Sequence, residues 1–64
     1  MNITLDSTAI KAAEDYRSLM AEYLNADFNS MPAEQITDLI RRKEHAEYRF
    51  TVLFIGLYED QVNA

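Results

Sequence analysis

His45 is the only histidine in the chain and the only candidate general base near neutral pH. It stands in the run Arg41-Arg42-Lys43-Glu44-His45, with Arg49 four residues on. On a helix, Arg42, His45 and Arg49 share one face, and such a cluster could hold a phosphate or another anion. Asp38, Glu44 and Glu47 are interleaved with it, so a solvated face laced with ion pairs is the simpler expectation. The remaining carboxylate doublets, Glu14/Asp15 and Glu59/Asp60, are adjacent in sequence and diverge on a helix. They read as solubilising charge, not as an acid–base pair.

Cysteine is absent. Disulfides and thiolate metal sites are therefore out of reach, and one histidine is too few for a histidine-built metal site. The chain has no glycine-rich phosphate loop and no nucleophile elbow. No catalytic residue, cofactor-binding residue, metal ligand or small-molecule substrate is expected, and the protein is read as a non-enzyme. With 11 acidic against 6 basic residues the net charge is −5. That balance opposes phosphate neutralisation, the main source of non-specific nucleic-acid affinity. No basic, apolar leader is seen at Met-Asn-Ile-Thr-Leu-Asp, and the longest apolar run, Val52 to Ile55, is far short of a membrane span. The expected location is the cytoplasm, away from membranes.

The elements that must carry these residues follow from two signals, breaks and periods. The one clear break is Asp27 to Gln35, where Asp, Asn and Ser cluster ahead of Pro32. Before it, residues 7–27 are rich in helix formers, with Asp6 as N-cap and Leu5 and Ile10 at the two positions of a hydrophobic staple. After it, Ser30 is the expected cap and Pro32 a first-turn residue of a second helix over about 32–60. Residues 28–31 form the turn, and the whole chain, 1–64, is one domain.

Composition over Phe50 to Tyr58 favours a strand, but the periodicity is helical. Ile36, Leu39, Lys43, Ala46, Phe50, Leu53 and Leu57 recur at alternating spacings of three and four. A second seam, Tyr48, Thr51, Ile55, Tyr58 and Val62, recurs the same way, with Val52 beside it. Helix one has its own broad apolar face. Ala9, Ala12, Tyr16, Leu19, Tyr23 and Ala26 form one row, and Ile10, Ala13, Met20 and Leu24 a second, interrupted by Arg17. The fold class expected is all-α: two antiparallel helices in a hairpin.

Folding at Asn29 would set Tyr16 near Arg42 and Ile10 near Tyr48. Lys43 would then meet Asp15, and Glu47 would meet Lys11, in cross-helix ion pairs. Helix one would end where the most apolar turns of helix two begin, with Ile3 and Leu5 covering one side only. Gly56, costly inside a helix, suggests close approach of another backbone. A chain of 64 residues buries too little surface to leave several large apolar side chains wet. A second copy is the expected cover, giving a four-helix bundle. The surface for the second copy or another protein is Tyr48, Thr51, Val52, Ile55, Tyr58 and Val62.

Function follows by subtraction: a non-catalytic module that binds another protein as an adaptor, co-chaperone or inhibitor. The alternative is a nucleic-acid-binding regulator using the Arg41–Arg49 patch. The hairpin layout is similar to that of the Rop family of dimeric RNA-binding hairpins, which is the ground for that alternative.

Overall fold

The structure, a computed structural model, describes residues 2–63. Asp6 opens α1 (Ser7–Asn25), its carboxylate accepting the Ala9 N–H at 2.8 Å and so satisfying one of the otherwise unpaired first-turn donors. The helix stops at Asn25, where Ala26 turns extended, two residues before the expected end. Asp27 then organises the turn. Its two carboxylate oxygens accept from the Asn29 N–H at 3.2 Å and from the Ser30 hydroxyl at 2.7 Å. The Phe28 ring tilts onto Tyr23, with centroids 5.3 Å apart.

Ser30 is thus committed to the turn and does not cap the second helix. Pro32 takes the N-cap position itself, with ψ of 149° and no side-chain cap bond. Its carbonyl accepts from Gln35 and Ile36. The second helix, α2 (Ala33–Val62), runs on through Phe50–Tyr58 and Gly56 to Val62. Periodicity therefore outweighs β-propensity there, because a pattern of three and four lets one face pack along its whole length. Among the described residues there is no strand.

The two helices pack antiparallel along Ala9, Ala12, Leu39 and Ala46, the fully buried residues. Three of the four are alanines, so the helix backbones can approach closely, and among the described residues Leu39 is the one large side chain wholly out of water. Around this thin core the aromatics form a file: Tyr16 lies 6.4 Å from Phe50, and Phe50 lies 5.9 Å from Phe54.

The register differs from the expected one. Tyr16 pairs with Phe50, not with Arg42, and the Lys43 ammonium sits 5.0 Å over the Tyr23 ring. Asp15 faces Arg49 at 3.9 Å and Glu22 faces Arg42 at 3.6 Å. Every such pair is centred on Pro32 and Ala33, not on Asn29. The expected Lys43–Asp15 and Glu47–Lys11 bridges are accordingly not formed. Pro32 stays extended outside the helix, and the cross-helix pairs are centred about three residues beyond Asn29.

This shift lengthens the overlap. Residues 2–6 continue past the start of α1 and reach the far end of α2, where the Thr4 N–H donates to Gln61 Oε1 at 2.9 Å. Gln61 Nε2 donates back to the Thr4 carbonyl at 2.7 Å. Ile3 and Leu5 are half-buried beneath this clamp. The inner seam of α2 is thereby covered to its end, and helix one does not stop short of the apolar turns.

Candidate protein interface

The outer seam of α2 turns away from α1. Tyr48 is 70% exposed and Val52 51%, with Ile55, Tyr58 and Val62 at 40% or above, and Thr51 also exposed. The six residues proposed from sequence are thus brought together on one side of one helix, open to water. Tyr58 and Ile55 border the adjoining side of the hairpin, whereas Tyr48 and Val52 stand on the far side.

The two remaining sides of the hairpin are its flanks, where α1 and α2 are seen edge by edge. One is charged. Arg42 reaches Asp38 at 2.9 Å within its own helix and Glu22 across the groove, and Arg49 reaches Asp15. Arg42, His45 and Arg49 do share a face, as their spacing implies. They rim an open groove of about 630 Å³ whose floor includes Ala12, Leu19 and Ala46. All the ion pairs are about half exposed to water, so each contributes about 0–1 kcal/mol. Among the described residues no three acidic or histidine side chains are grouped so as to hold a metal ion.

The other flank is apolar. Ile10, Ala13, Met20 and Leu24 line it on α1, and Ile36, Ile40 and Phe54 on α2. Leu24 is 72% exposed and Ile10 45%, while the others are half-buried. At mid-length stand Arg17 and Glu47, both exposed and, among the described residues, neither with an opposite charge within 4 Å. The α1 row of this flank is visible in the sequence, and Ile36 is visible there as part of the inner seam, but Ile40 and Phe54 belong to neither seam named above. The signal was present: Ile40, Glu47 and Phe54 repeat every seven residues, as do Ile10, Arg17 and Leu24.

Gly56 lies on the charged side, seven residues beyond Arg49. A Cβ placed on it would meet nothing within 4 Å. Among the described residues no other part of this chain approaches it. No helix among the described residues is long and apolar enough to cross a membrane.

The fold defines a class, the antiparallel two-helix hairpin. No family model, no curated protein and no solved structure matches the chain.

Proposed function

We propose that this hairpin is a non-catalytic protein–protein interaction module that works as a homodimer in the cytoplasm. It docks on another protein, as an adaptor, co-chaperone or inhibitor, through the outer seam of α2. The observation that carries this reading is the exposure of Tyr48, Val52, Ile55, Tyr58 and Val62 along a single helix face. Large exposed apolar patches mark interaction sites, and tyrosine suits them because it combines a rigid ring with a polar tip. The seam is spaced at threes and fours, the pattern that accepts an apolar helix or groove of a partner. The alternative, nucleic-acid binding at Arg42, His45 and Arg49, is weakened by the carboxylates that engage both arginines. A phosphate would have to displace them against a net charge of −5.

The test is affinity capture from the native host with tagged protein, with and without nuclease. Three chains are compared: wild type, Tyr48→Ser/Val52→Ser and Arg42→Glu/Arg49→Glu. The reading expects one stoichiometric protein that survives nuclease, is lost with the seam variant and is kept with the basic-patch variant. Nuclease-sensitive recovery that disappears only with the arginine variant would replace it by the nucleic-acid reading.

A further inference from the structure

The hairpin is a rod of 49 × 18 × 15 Å, with a radius of gyration of 14.7 Å. A compact chain of this length has a radius of about 11 Å, and one of twice the length about 14 Å. Its accessible surface is 4994 Å². A folded monomer of 7.4 kDa exposes about 4200 Å². The surplus, roughly 800 Å², matches what each partner buries in a standard protein interface. A second rod laid alongside would remove that surplus without lengthening the particle.

Of the two flanks, the apolar one has no formed ion pair to disturb among the described residues. The charged flank would have to desolvate Asp15, Glu22, Arg42 and Arg49, whose ion pairs are formed in water and within one chain. The apolar flank carries large side chains at both ends and a single opposite-charge couple in the middle. Arg17 lies midway between Ile10 and Leu24 on α1, and Glu47 midway between Ile40 and Phe54 on α2. The register set by Tyr16–Phe50 and Asp15–Arg49 places the two within about one helical turn of the same level.

Two face-to-face arrangements have two-fold symmetry. With the axis across the rod, α1 lies on the partner's α1, and Arg17 meets the partner's Arg17 while Glu47 meets the partner's Glu47. With the axis along the rod, α1 lies antiparallel on the partner's α2. Arg17 then meets the partner's Glu47, twice, and Leu24 is level with the partner's Ile40. Like charges in a closed interface are strongly unfavourable, so charge selects the second arrangement.

We infer that a second copy of this chain covers the apolar flank in that arrangement, with two interchain Arg17–Glu47 pairs, leaving Tyr48 and Val52 free for a different protein. The inference rests on the homodimer reading above and assigns its surface. Each chain contributes both helices, which completes an antiparallel four-helix layer around Met20, Ile40 and Phe54. The pairs act mainly on specificity, by excluding the other axis, and little on affinity.

Charge exchange tests it. Arg17→Glu and Glu47→Arg are each expected to raise the dimer dissociation constant by about tenfold or more, and the double exchange to restore most of the loss. Circular dichroism checks that every variant stays helical. Cross-linking gives an independent reading, because the chain has no native cysteine. Arg17→Cys protein should form a disulfide dimer on oxidation only when mixed with Glu47→Cys protein. A dimer formed by Arg17→Cys alone would select the other axis and overturn the arrangement while leaving the homodimer standing. Single exchanges that leave the dimer unchanged would remove the apolar flank as its surface. A wild type that sediments as a folded monomer would remove both this inference and the homodimer reading.

Discussion

The two flanks of this hairpin are built by the same two helices and differ in how they dispose of their side chains. On the charged flank, Asp15, Glu22, Asp38, Arg42 and Arg49 complete their interactions within the chain and keep their water. On the apolar flank, Ile10 and Leu24 stay wet, and Arg17 and Glu47 form no ion pair among the described residues. The first surface has ion pairs made within the chain, and the second has none among the described residues. A surface incomplete in both its apolar and its charged parts is what an interface looks like before its partner arrives.

The most damaging single change spares neither flank. Leu39→Ala removes the one large buried side chain beneath both and should cost about 2–5 kcal/mol, a large share of a typical stability of about 5–15 kcal/mol. Thermal unfolding measures this. A small loss would show that the thin alanine-lined core is not where the hairpin is held together.

The contrast is sharpened by equivalent substitutions on the two sides. Ile40→Glu places an unpaired charge at the apolar flank and should weaken dimerisation by about tenfold or more, read by sedimentation. Arg42→Ala on the charged flank should leave the dimer intact. Equal effects from the two would erase the distinction between the flanks.

Two smaller effects concern backbone economy. Asp6→Ala should lower stability by about 1 kcal/mol through loss of the cap on Ala9, measured by urea denaturation. Gly56→Ala should raise it by up to about 1 kcal/mol, since nothing stands within 4 Å of the added Cβ. Gly56 is on the charged side, so this substitution also probes occupancy. If the alanine weakens the dimer, the second copy sits on the charged flank. The smallest effect is expected from Arg42→Ala on monomer stability, below about 1 kcal/mol, because its two ion pairs are exposed.

The helices were legible in the sequence because their apolar rows repeat at threes and fours, and Asp6 announced the first of them. The outer seam, Tyr48 to Val62, was legible for the same reason. The register was not. Composition marks a break over Asp27–Gln35 but does not say where within it the chain reverses. That depended on Asp27 drawing in Ser30 and on Pro32 remaining extended. A displacement of about three residues then misassigned each cross-helix partner, sending Asp15 to Lys43 instead of Arg49. The apolar flank suffered most, because it exists only when rows from two helices are set side by side. Ile40 and Phe54 repeat at the same spacing as Ile10 and Leu24, but that the two rows adjoin shows only once the helices are packed. The Thr4–Gln61 clamp, 57 residues apart, left no local trace at all.

A second copy of the chain closes the apolar flank of the dimer proposed above. Sedimentation equilibrium of the wild-type protein at micromolar concentration, with helicity followed in the same sample, measures this. A single helical species of twice the 7.4 kDa chain mass is expected. A fully helical species of one chain mass, unchanged as concentration rises, would contradict it.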